Sequence, residues 1–214
     1  MEARSGMQGA RGMERIFFMV IALVFISVSS FAEDSHVATL KISPDLGKTQ
    51  CASQPGKGVT LVWGKISDKR VSPAVGTFKK GKEEFDVLLA GPVDVVIGDA
   101  IKTAFKNCGY TMVDKNVPGA VTVNVDVNQF FAGSVKRWFT GETDAKASFS
   151  LHLRSELSSY DYDFGATKSD KGLRKKNIQR LEAVLSGLLE ETVLQIAESP
   201  TLQKEIDKLA GQQQ

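Results

Sequence analysis

The chain has 214 residues, enough for one domain of ordinary size plus an extension. With 42% hydrophobic and 24% charged residues it has a globular composition, which excludes disordered and collagen-like classes. A net charge of +2 gives no long-range field for nucleic acid or anionic membrane.

The first element reads as an export signal. Arg4, Arg11 and Arg15 precede an uncharged apolar run over residues 16–28, and Ser30-Phe31-Ala32 offers small residues where a signal peptidase reads. Residues 1–32 are therefore expected to be a secretory signal peptide, cleaved after Ala32. The run is short for a bilayer span, which needs ~20 apolar residues. Met13 is an alternative start, because residues 13–32 alone make a complete signal peptide. Cleavage would leave 24 basic and 23 acidic residues, a net charge of +1.

Residues 33–58 are rich in Ser, Lys, Gln, Pro and Gly and read as a flexible arm with a short strand near 37–42. Cys51 and Cys108 are the two cysteines. In an exported chain an even count predicts one disulfide, worth roughly 4 kcal/mol on the chain-entropy argument. Two unpaired thiols remain the alternative, since Cys108 also falls on the core face of a helix.

Residues 59–210 read as a single domain. Val59, Leu61 and Trp63, then Ile66, Asp68 and Arg70, make a first strand closing in a polar turn, where Asp68 and Arg70 share a face and can pair. Residues 75–78 and 84–89 follow as short strands. Gly91-Pro92 punctuates, and proline suits a first helical turn. Val93, Val96, Ile97, Ala100, Ile101, Ala104, Phe105 and Cys108 then recur at spacings of three and four, an amphipathic helix with Gly109 placed as its cap. Residues 110–113 lead out of it, and Val117-Pro118-Gly119 turns the chain.

Three alternating runs come next. Val121, Val123, Val125 and Val127 alternate with Thr122, Asn124, Asp126 and Asn128. Ala145, Ala147, Phe149, Leu151 and Leu153 oppose Lys146, Ser148, Ser150, His152 and Arg154. Tyr160, Tyr162 and Phe164 alternate with Asp161 and Asp163. Strands with one wet face predict an antiparallel meander. A helix from about Asn177 to Glu198 follows, with Asn177 as N-cap. Ser199-Pro200 starts a short final helix carrying Leu202, Ile206 and Leu209. The run Lys171, Arg174, Lys175, Lys176 reads as a solvated helix entrance. The expected fold class is α+β: an antiparallel sheet of about four to six strands with two main helices on one face.

Several of these stretches together resemble the YajG-like family of bacterial envelope lipoproteins. The similar features are Ile66-Ser67-Asp68-Lys69-Arg70, Val75-Gly76, the helix Val93–Asn107, Cys108-Gly109-Tyr110-Thr111-Met112-Val113, the valine-rich strand and the helix Asn177–Ala197. The resemblance spans about residues 59–198 and implies an exported, envelope-associated protein. One departure stands out. The family carries a lipidated cysteine just after the signal, whereas here Ala32-Glu33 lies there and Cys51 follows Lys48-Thr49-Gln50, which is no lipobox. The resemblance thus implies a soluble periplasmic variant, and it assigns no residue roles.

Chemistry is sparse. The two histidines, His36 and His152, lie in no nucleophile–base pattern, and neither GxSxG, GxGxxG nor a Walker loop occurs. Asp161 and Asp163 share a strand face without calcium-loop spacing. We assign no catalytic residue, metal ligand or cofactor, and expect a non-enzyme. The suggestive stretch is residues 129–141, QFFAGSVKRWFTG. With Ala132-Gly133-Ser134 as a hairpin tip, Phe130, Phe131, Trp138 and Phe139 gather at one end of the sheet beside Lys136 and Arg137. These six are the candidate surface for an envelope protein or membrane partner, not nucleic acid. The alternative is that the aromatics cap the core. Two other functions stay open. One is a carrier of a small hydrophobic ligand such as a lipid, which needs an apolar pocket of roughly several hundred Å3. The other is an enzyme built from scattered polar residues.

Overall fold

The computed structural model describes residues 37–48, 51, 55–80, 82–115, 117–136, 140–173 and 177–211. The expected signal peptide, His36, Arg137, Trp138, Phe139 and Arg174 to Lys176 lie outside these residues, as does the side chain of Lys136. In chain order the elements are β1 (Val37–Leu40), β2 (Thr60–Asp68), β3 (Gly76–Lys80), β4 (Glu83–Leu89), α1 (Val93–Asn107), β5 (Thr111–Val113), β6 (Val121–Lys136), β7 (Thr140–Arg154), β8 (Ser159–Leu173), α2 (Asn177–Ala197) and α3 (Pro200–Gly211).

The fold class is α+β, but the expected sheet needs two corrections. It has eight strands rather than four to six, and it is mixed rather than antiparallel. The meander β6–β7–β8 is antiparallel, as is β3–β4. β2 lies parallel to β5 and β6, β3 is parallel to β6, and β1 is parallel to β4. The parallel pairs join strands that are not neighbours in sequence or are linked by a longer crossover: between β2 and β5 the chain passes through β3, β4 and α1 before it re-enters beside β2 in the same direction. Alternation could not reveal this, because β2 faces water on part of one side and so resembles an antiparallel strand.

β6 is the spine. Its first half pairs with β2 on one edge, its second half pairs with β3 on that same edge, and β7 runs along the other edge throughout. Val121, Val123, Val125 and Val127 are buried, with Phe149, Leu151 and Leu153 of β7 beside them. α2 covers this face with Leu181, Leu185, Leu188, Val193 and Ile196, and α3 adds Leu202, Ile206 and Leu209. Each such side chain contributes about 1.5–3 kcal/mol on leaving water. α1 packs closely on β2. A Cβ on Gly98 would fall 1.9 Å from Cδ1 of Ile66, so any larger residue there would require the end of that side chain to move.

The end of α1 shows how local chemistry stops a helix. Gly109 takes φ +92° and its N–H donates to the Lys106 carbonyl, while the Tyr110 N–H donates to that of Phe105. This is a Schellman closure with its usual apolar clasp, the Phe105 and Tyr110 rings meeting edge-on at 5.4 Å. Burial pushes the Tyr110 phenol up, its hydroxyl having no hydrogen-bond partner among the described residues. Cys108, in the same turn, is disulfide-bonded to Cys51. The segment read as an arm is thereby tied in twice: β1 pairs with β4 and buries Leu40, and Cys51 reaches the core.

Candidate functional site

The partner surface expected at residues 129–141 must be rebuilt from the strand upward. Ala132-Gly133-Ser134 is not a hairpin tip. These residues pair with Ala145, Asp144 and Thr143, and the ladder continues to Lys136 opposite Gly141. The strands therefore stay paired straight through this tripeptide. Glycine and serine suggested a turn, but the ladder runs through them, and the inner face of this region, Ala132, Ala145, Ala147 and Ala166, lies in the buried core.

A second correction concerns Phe130. The pairing slips between Val127 and Gln129, leaving Asn128 as a bulge. Beyond it the faces exchange: Phe130 is fully buried against Phe149, and Phe131 turns outward, half-buried. Phe130 is thus core and leaves the candidate surface. The sequence carried the signal, since the apolar spacing changes from two to three between Val127 and Phe130.

The bulge sits opposite a gap in the other edge. β2 ends at Asp68 and β3 begins at Gly76; the Lys69 N–H still donates to the Val127 carbonyl and the Val75 carbonyl accepts from Ala132, so the ladder is open over residues 70–74. Arg70 fills the gap. Its guanidinium takes both carboxylate oxygens of Asp68 at 2.9 Å and donates to the carbonyls of Ala74 (3.2 Å), Pro73 (3.4 Å) and Phe130 (3.5 Å). The Arg70 side chain is only 6% exposed, so a bidentate pair replaces the missing strand ladder. Arg70 holds the Asp68 carboxyl below the usual carboxylate range. The pairing read from sequence is therefore present and structural, and Arg70 also satisfies one carbonyl, that of Phe130, of a strand it does not belong to.

Beside this clip a groove of about 350 Å3 opens, lined by Arg70, Val71, Asn128, Gln129, Phe131 and Ser148 among others. Val71 is fully exposed at its rim. Sequence reasoning missed Val71, whose place at the rim depends on how residues 70–74 leave the ladder. With the Asp68 and Arg70 charges turned on each other, the groove offers apolar surface and neutral polar groups.

The outer face of β6–β7–β8 was the other place to look for chemistry. His152 Nδ1 lies 2.8 Å from Asp161 and its Nε2 lies 3.6 Å from Asp126, while Arg154 contacts Asp161 at 2.7 Å. Those partners lower the Asp161 carboxyl, Arg154 more than His152. Ser150 is engaged elsewhere, accepting from Asn128 and donating to Asp163. The arrangement is a cross-strand ladder of paired charges, with the hydroxyl directed away from the imidazole. Among the described residues no group of three histidine, cysteine or acidic side chains is placed to hold a metal ion.

Fold and surface together define an α+β domain in which helices back a curled mixed sheet. The model of a family described as an uncharacterised lipoprotein, YajG-like, matches residues 52–207, and the chain belongs to that family. Membership makes it an exported, envelope-associated type of protein. No curated protein matches the chain. Among solved structures, one from Xanthomonas campestris is similar at 13% identity and TM-score 0.49, covering 80% of this chain and 98% of that one. A candidate lipoprotein from Caulobacter crescentus has 9% identity, TM-score 0.33 and coverage of 78% and 98%. A lipoprotein from Neisseria meningitidis has 12% identity, TM-score 0.30 and coverage of 66% and 99%.

Proposed function

We propose that the protein is a non-enzymatic binding and assembly module of the bacterial envelope, released into the periplasm by cleavage after Ala32. In this reading it works without a lipid anchor. Family members are lipidated on cysteine, whereas Cys51 is bonded to Cys108 and has no thiol left to acylate. The sheet and helices form a rigid platform. The partner, an envelope protein or a membrane surface, docks along the groove through Val71 and Phe131. The observation that carries the reading is the bulge at Asn128, which turns Phe131 outward beside the fully exposed Val71. Apolar side chains gathered at a groove mark interaction sites more often than scattered ones do.

Photo-crosslinking in intact envelopes tests this, with the reactive group placed in turn at positions 71, 131 and 117. Val117 is exposed in the loop before β6 and does not line the groove, so crosslinks to a discrete partner are expected at 71 and 131 but not at 117. A membrane partner would instead appear as vesicle co-sedimentation that Val71→Ser/Phe131→Ser abolishes. Equal crosslinking at all three positions, with no vesicle binding, would overturn the assignment.

A further inference from the structure

We propose that the free edge of β8 is a self-association surface, on which two copies of the chain pair antiparallel about a two-fold axis at Ala166. β8 hydrogen-bonds to β7 over its whole length without a register break, and among the described residues no strand pairs with its other edge. A straight edge of 15 residues with no proline and no bulge is a template for another strand. Chains usually blunt such an edge with charge, and β8 does carry Asp161, Asp163, Lys168, Asp170 and Lys171. Their distribution is what identifies the occupant. On the outer face the two aspartates lie in the first half and Lys171 in the second, so a second copy running antiparallel sets unlike charges together.

The geometry points to one register. Pairing over the full length places Ser159 against Leu173 and therefore Asp161 against Lys171 of the other copy. Within one chain Asp161 already faces His152, and Lys171 already faces Glu142 with an ion pair at 3.0 Å. Across the joined sheets the row then reads Glu142, Lys171, Asp161, with Lys171 between two carboxylates and His152 bonded to Asp161 at the end, and the two-fold axis repeats it. Lys171 and Asp161 are 70% and 62% exposed, so both keep open surface toward a neighbour beside the partners they have within the chain. The helix-side face agrees. Tyr160, Tyr162 and Phe164 are only half-buried at this rim, although they belong to the core-facing row, and a ninth strand would cover them. This surface is separate from the groove of the proposed function, so either can fail without the other.

The test uses the exported protein after cleavage. Sedimentation equilibrium is run on the wild type and on Lys171→Asp, which places like charges together twice per dimer. A dimer is expected for the wild type, weakened about tenfold or more in the variant at low salt, since tenfold corresponds to about 1.4 kcal/mol. In parallel, Thr167→Cys next to the axis is treated with a short bifunctional maleimide. Covalent dimers are expected from it and not from Val117→Cys at a distant loop. A wild type that stays monomeric, a dimer indifferent to Lys171→Asp, or equal linkage from both cysteines would overturn the proposal.

Discussion

The two halves of β6 make an instructive pair. Residues 121–127 alternate strictly, valine inward and polar outward, and their burial follows that pattern without exception. Residues 129–136 belong to the same strand, share the partner β7 and have the same kind of composition. A single bulged residue between them inverts which parity faces the core. Side-chain period fixes a face only as long as the ladder is unbroken, because one extra residue moves every later side chain to the other side. The bulge also coincides with the point where the opposite edge changes from β2 to β3, and where Arg70 takes over the carbonyls left unpaired.

The comparison is broken most directly at neighbouring phenylalanines. Phe130→Ala is expected to cost about 3–5 kcal/mol, the usual range for a buried aromatic, whereas Phe131→Ala should cost less than about 1 kcal/mol. Urea unfolding of the two variants checks this. Similar losses for both would mean that the faces do not exchange at Asn128. Nearly as large is the tie between the arm and α1. Cys51→Ser/Cys108→Ser removes a link between residues 57 apart and should cost about 4 kcal/mol. Reduction of the wild type should reproduce the lowered midpoint, while the double variant should not respond to reductant.

Much of this architecture was legible in the residues. The α1 stripe, its glycine cap, the valine strand and the start of α2 at Asn177 follow from periods and terminators whose physics is local. What was not legible is non-local. Nothing in residues 60–68 states that β2 lies parallel to β6, since strand direction depends on where the α1 crossover returns. The groove is harder still. Phe131 could be placed only after the change in spacing between Val127 and Phe130 was read as a bulge, and Val71 only after residues 70–74 were seen to leave the ladder. Arg70 lies between these cases: its pairing with Asp68 follows from sequence, but its service to the carbonyl of Phe130 needs the fold.

The smallest expected effect sharpens the comparison at that clip. Arg70→Met keeps much of the side chain's bulk but leaves the Asp68 carboxylate and the nearby carbonyls without their donor. A partly buried pair broken on one side should cost about 2–3 kcal/mol near neutral pH, below the full buried-pair range because Asp68 keeps some access to water. The pH dependence separates this from a packing loss. Asp68 titrates below its ordinary value in the folded chain, so its contribution is fully present above the unfolded pKa of about 4 and disappears as pH falls through the folded value. Wild type should therefore lose stability on acidification that Arg70→Met has already lost, and the two unfolding curves should converge toward pH 2. A gap that stays constant from pH 7 to pH 2 would show that Arg70 acts through its packing alone. The strand break would then be held by shape rather than by charge.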